Sequence, residues 1–111
     1  MLPAVAPSLS ASLADWFSTR LTEPYDLAGV ALAFHVSPRT LMRRVKEETG
    51  LSPLTLLQQA RVEQAKRLLL QTPWSIARVT ESVGYQDHVS FDRLFRRFAG
   101  TSMASYRRQF R

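Results

Sequence analysis

With 111 residues, 45% of them apolar and 22% charged, the chain can form one domain, or two small helical lobes on a shared connector. It has no cysteine, which excludes disulfides and thiolate metal sites. His35 and His88 lie far apart with no ligand cluster around them, so they read as turn and helix-start residues, and no metal or other cofactor is expected. The net charge of +6 comes from thirteen arginines and only two lysines against nine acids. The planar guanidinium fork suits phosphates and guanine edges.

No apolar run approaches the roughly 20 residues needed to cross a bilayer. The opening residues MLPAVAPSLSAS have no basic start and no signal-length apolar block, so a cytoplasmic location and no membrane partner are expected. Charge placement is more informative than its sum. Arg39, Arg43, Arg44 and Lys46 are the only charges between Pro38 and Lys46, and no acid follows Asp92, whereas Arg93, Arg96, Arg97, Arg107, Arg108 and Arg111 do. Two cationic zones suit an extended polyanion, although a basic balance also serves solubility.

Taken in order, residues 1–10 read as a linker end, with mobile residues up to about 8 that include Pro3 and Pro7. A first helix is expected over about 12–21, with Leu13, Trp16, Phe17 and Leu21 inward. Asp26 is a reasonable N-cap for a second, to about Phe34, burying Leu27, Val30, Ala31 and Phe34. Ser37-Pro38 and Ser52-Pro53 are both cap-plus-proline starts, and Gly50 is a stop between them. The stretch from Pro53 to Gln71 has no glycine and no further proline, and it predicts the longest helix. Leu54, Leu57, Val62, Ala65, Leu68 and Leu69 share roughly 140° of its surface, interrupted by Gln58 and Arg61. Arg61, set among leucines, reads as a structural ion-pair or carbonyl-capping residue. The pattern restarts after Pro73. Ser75 caps a short helix with Ile76, Val79 and Val83 inward; Asp87 caps one from about His88 to Ala99 with Phe91, Phe95 and Phe98 inward. Gly100 stops that helix, and a last one of about 103–109 docks through Met103, Tyr106 and Phe110. Trp16 and Trp74 read as core or rim packing. The expected architecture is all-α: seven helices in two helix-turn-helix subdomains (11–52 and 73–111) joined by a long central linker helix (53–72).

The two halves are copies. Aligned on Gly50 and Gly100, Leu41 meets Phe91, Arg43 meets Arg93, Val45 meets Phe95 and Ser52 meets Ser102. With the offset one residue shorter, Leu27, Val30, Phe34 and Val36 meet Ile76, Val79, Val83 and Tyr85. Each copy is a short helix, a tight turn and a longer basic helix, the helix-turn-helix arrangement whose second helix enters the DNA major groove. Opposite the apolar side, the first copy presents Arg39, Met42, Arg43 and Lys46, and the second Val89, Asp92, Arg93 and Arg96. A helical hairpin repeat that met no nucleic acid would ordinarily mix both signs on such faces. The competing reading is a helical protein-interaction module that binds an acidic partner such as an RNA polymerase subunit.

The run GYQDHVSFDRLFRRFAGTSMASYRRQF resembles the C-terminal signature of the AraC/XylS family of bacterial transcription regulators. SPRTLMRRVKEETGLSPLTLLQQARVEQAKRLL is similar to that family's first unit and linker helix. The resemblance covers roughly Leu13 to Arg111. Met103 stands where proline is usual, and His35 where glycine is common. The SPRTLMRR run and the YRRQFR tail are similar to members that carry an N-terminal domain resembling class I glutamine amidotransferases, which implies an effector domain outside this chain; the alternative reading is a small stand-alone regulator.

The resemblance implies double-stranded DNA binding, with RNA polymerase as a further partner; no catalysis is expected, since no nucleophile–base pair, metal cluster or phosphate loop is visible in the sequence. Arg39, Met42 and Arg43 match base-reading positions of the first unit, and His88, Val89, Asp92 and Arg93 those of the second. Asp92 would accept from a cytosine amine or orient Arg93; it also fits helix-start stabilisation. Arg44, Lys46, Arg96, Arg97 and Arg107 are assigned to phosphates, with Ser37, Thr40 and Ser90 as neutral helpers. Arg44 and Arg108 also fit ordinary solvated charges.

Overall fold

A computed structural model describes residues 8–111, so the mobile linker expected at the start lies, as far as residue 7, outside the described residues. These residues form seven α-helices and no strand: α1 Leu9–Ser18, α2 Leu27–Ala33, α3 Pro38–Thr49, α4 Pro53–Gln71, α5 Ile76–Ser82, α6 His88–Ala99 and α7 Met103–Phe110. Ser8, Ser37, Ser52, Ser75 and Ser102 each accept, through the side-chain oxygen, the amide of the residue three positions on, and Asp87 accepts from Val89 and Ser90. Each such cap contributes about 1 kcal/mol, so these helix starts are written locally. Asp26 precedes α2 with extended backbone but makes no side-chain cap. Gly50 and Gly100 end α3 and α6 in the left-handed conformation (φ 77° and 80°), as stops of this kind require.

The apolar side chains segregate into two cores. Leu13, Phe17, Val30, Ala31, Leu41, Val45, Leu56 and Leu57 fill the first; Val62, Ala65, Leu69, Val79, Val83, Phe91, Leu94, Phe95 and Met103 fill the second. At about 1.5–3 kcal/mol for each large apolar side chain removed from water, these clusters are the main source of stability. Helix α4, about 28 Å long at 1.5 Å per residue, supplies both: Leu56 and Leu57 go to the first core, Val62, Ala65 and Leu69 to the second. Each unit is thus three helices and half of a shared rod.

Arg61 sits where α4 changes over. It is buried, and its guanidinium donates through Nε to Leu21 O (3.0 Å) and through Nη2 to Glu23 O (3.1 Å), where the chain leaves α1. The ring of Tyr85, from the turn between α5 and α6, lies 5.2 Å from the same guanidinium. Next to it, Gly84 adopts φ 93°, and a Cβ there would lie 2.2 Å from Leu21 O. The turn of the second unit therefore rests on the end of the first unit's opening helix. The units are joined twice: along α4 and through this arginine.

The fold departs from expectation in three further places. Helix α1 begins at Leu9, not near residue 12, and Leu9 and Ser10 are buried, so residues 8–10 belong to the first unit and not to a linker. Ser8 caps this earlier start, and Glu48 of α3 holds it from across the fold, accepting from both Ser10 N (2.8 Å) and Ser10 Oγ (2.6 Å). Leu54 is 38% exposed, while Leu56 takes the inward position near the start of α4. Phe110 is 57% exposed, its ring tilted against that of Tyr106 at 4.8 Å between ring centres. Trp16 meets its expectation of core or rim packing: it is partly buried against the first core, edge-on to Phe17 and Phe34.

Candidate nucleic-acid interface

In α3, Leu41 and Val45 are fully buried, which fixes the rotation of the helix and turns Arg39, Met42, Arg43 and Lys46 outward. Met42 is 48% exposed, large for an apolar side chain without a protein partner. Arg39 and Arg44 are exposed and make no ion pair or hydrogen bond with the described residues. Arg43 pairs with Glu47 one turn on (3.2 Å), both side chains more than half exposed. Such a pair is worth about 0.5 kcal/mol and gives way readily to a better acceptor. Lys46 donates from Nζ to Gly50 O at the end of the helix (2.9 Å). Ser37 and Thr40 share a hydrogen bond between their hydroxyls (2.9 Å) in the cap of α3.

Helix α6 is the second copy. Phe91, Leu94 and Phe95 are buried, and His88, Val89, Arg93, Arg96 and Arg97 are exposed, Val89 at 55%. Arg93 and Arg97 make no ion pair with the described residues. At the start of the helix, Asp87 accepts from Val89 N (3.0 Å), Ser90 N (3.3 Å) and Ser90 Oγ (2.6 Å). The Ser90 hydroxyl first, and then the Val89 amide, hold the Asp87 carboxyl below its ordinary range.

The structure gives three of the expected contact residues another task. Arg107 does not extend from the surface as a phosphate ligand: it donates through Nε to Leu69 O (2.9 Å) and through Nη2 to Thr72 O (3.4 Å), capping the carbonyls that end α4. This repeats the device of Arg61, an arginine from a unit's last helix closing the end of its first. Ser90 directs its hydroxyl proton to Asp87 and not outward. Asp92 is turned to the protein, accepting from Met103 N (2.8 Å) and Arg96 Nε (3.0 Å). Arg43–Glu47 and Asp92–Arg96 both sit at a spacing of four, a signal present in the sequence. The Met103 amide, eleven residues from Asp92, left no local signal. Among the described residues no group of His, Asp or Glu is arranged to hold a metal ion.

Two helix-turn-helix units with basic outer helices define a class of DNA-binding domain, and the comparisons agree. The profile of the family described as a helix-turn-helix domain matches residues 30–109. Over 83 residues, 75% of the chain, it is 35% identical to the arabinose operon regulatory protein of Escherichia coli K12, of which the match covers 28%. A match of the same extent to the transcriptional activator NphR of a Rhodococcus species has 40% identity and covers 24% of that protein. Among solved structures, the DNA-binding domain of the global transcriptional factor AdpA, crystallised with a target DNA, superimposes with a TM-score of 0.83 at 34% identity, over 95% of each chain. A DNA-binding transcriptional dual regulator from Escherichia coli K-12 gives 0.88 at 26% identity, over 97% of this chain and 96% of that one. The chain belongs to the AraC-type helix-turn-helix family and is a sequence-specific DNA-binding domain of the kind found in transcription regulators. It spans about a third or less of the length of the curated relatives it matches.

Proposed function

We propose that α3 and α6 enter successive major grooves on one side of a duplex, about 34 Å apart, and read one bipartite site. The supporting observation is the pair of equivalent helices whose outward arginines, Arg39 and Arg93, have no partner among the described residues. The described body measures 44 × 37 × 21 Å, long enough to reach two grooves. In the first groove Arg39 and Arg43 grip guanine O6 and N7, and Met42 rests on a thymine methyl; in the second, His88, Val89 and Arg93 meet base edges. Arg44, Lys46, Arg96 and Arg97 take phosphates, with the Thr40 hydroxyl beside them. Two units joined at two places cannot follow straight B-DNA freely, so the duplex bends at a cost of a few kcal/mol that varies with sequence.

The regulator in which this domain works is cytoplasmic and carries its effector domain elsewhere, of the class I glutamine amidotransferase-like kind suggested by the SPRTLMRR and YRRQFR runs. It contacts RNA polymerase. Support for a protein contact comes from α2, which has no charged residue and leaves Leu32 77% exposed. Selection of bound sites from a random duplex pool, followed by titration across salt, tests the DNA reading. A bipartite consensus should emerge, with log affinity falling against log salt by about 0.9 per phosphate neutralised. Recovery of no consensus, with binding only to an acidic protein partner, would favour the interaction-module reading instead.

A further inference from the structure

We infer that Asp92 reads no base: it is a positioning residue that latches the second reading helix to the start of α7 and aims Arg96. This inference rests on α6 being the second reading helix. One carboxylate oxygen accepts the Met103 amide at 2.8 Å; the other accepts Arg96 Nε at 3.0 Å. The Asp92 side chain is 22% exposed against 63% for Arg96, so the acid lies beneath the arginine. To accept from a cytosine amine, Asp92 would have to leave a backbone donor at a helix start without a partner.

The other copy supplies an independent observation. At the offset of 50 residues that superimposes the glycine stops, Pro53 stands in the place of Met103 and Met42 in the place of Asp92. Proline at the first helical position has no N–H, and there the reading helix carries no acceptor. Where methionine replaces proline, its side chain is fully buried in the second core, but its N–H needs an acceptor, and an aspartate stands opposite. Lys46, the counterpart of Arg96, has no carboxylate at position 42 and turns to Gly50 O instead. Donor and acceptor are present together in one copy and absent together from the other.

The test uses the chain with a site selected by the wild type, so a failure of DNA binding as such shows before any variant is made. Asp92→Ala should change affinity for every sequence by one common factor, with the ranking of base pairs in the second half-site unchanged. Its melting temperature should fall by roughly 5 °C, and by much less where Met103→Pro has already removed the donor, each variant being compared with its own parent. Collapse of the preference for a single base pair in Asp92→Ala, by about tenfold or more, would make Asp92 a reader and overturn the inference. So would an equal fall in melting temperature for Asp92→Ala with and without Met103→Pro. If Asp92→Ala does not fold, amide exchange of Met103 in the wild-type chain decides: protection kept on adding the selected duplex supports the latch, and protection lost overturns it.

Discussion

Each unit braces its longer basic helix with a carboxylate, but at different places. In the first, Glu48 reaches from the far end of α3 to Ser10 at the start of α1, off the reading face. In the second, Asp92 reaches from the middle of α6 to Met103 at the start of α7, on the reading side itself. The first unit thus keeps Met42 and its arginines open, while the second gives up one outward position to hold its own architecture. The turns differ in the same sense. His35 adopts φ 57°, a left-handed conformation uncommon for a residue with a side chain, in the place where the second unit has Gly84 at φ 93°. His35 is exposed; Gly84 presses on Leu21 O. A duplicated fold, then, need not duplicate its tolerances: the position that carries the joint between units cannot hold a side chain, and its free counterpart can.

Substitution at those two positions tests this contrast most directly. Gly84→Ala places a methyl carbon against Leu21 O and Arg61 Nη2 at a strained φ, and should cost about 3 kcal/mol or more in a urea melt. Arg61→Leu, which strands the carbonyls of Leu21 and Glu23, should cost about 2–3 kcal/mol of stability. For the reading faces, Arg39→Ala and Arg93→Ala should each lose about 1–3 kcal/mol of specific binding in a gel-shift titration and relax one position in their own half-site. Unchanged selectivity in Arg39→Ala would show that the reading face of α3 is misassigned. His35→Gly should act in the opposite sense to Gly84→Ala, gaining about 1 kcal/mol by relieving the left-handed backbone. The smallest effect concerns acid. The Ser10 hydroxyl, and then its amide, hold the Glu48 carboxyl below the ordinary glutamate range. Its stabilising share is therefore complete above that range and fades as pH falls through the lowered value, so Glu48→Gln should flatten the acid limb of a stability–pH curve.

What the sequence disclosed were the features written over a few neighbouring residues. Serine and aspartate caps, Ser-Pro starts and glycine stops placed α3 to α7 within a residue or two, apolar spacing after Asp26 placed α2, and the offset between Gly50 and Gly100 exposed the duplication. What it concealed depends on partners far along the chain. The hold of Glu48 on the first turn of α1, 38 residues away, left no local sign, and neither did the inward turn of Arg107 to carbonyls of α4 at a similar distance. Arg107 stands in a terminal basic run, where nothing local separates a carbonyl cap from a phosphate ligand. Arg61 was legible as a carbonyl cap because leucines surround it. Asp92 was ambiguous for a physical reason: a carboxylate one turn before an arginine looks the same whether its other oxygen faces a base or a backbone amide.

The contact of Gly84 with Leu21 O also bears on which promoters such a domain can serve. Adding one base pair between half-sites turns the second by about 34° around the duplex axis. A protein hinged at a single helix could swivel to follow; one clamped at the arginine joint as well cannot. Targets would then diversify by exchanging letters within each half-site, and the interval between them would stay constant.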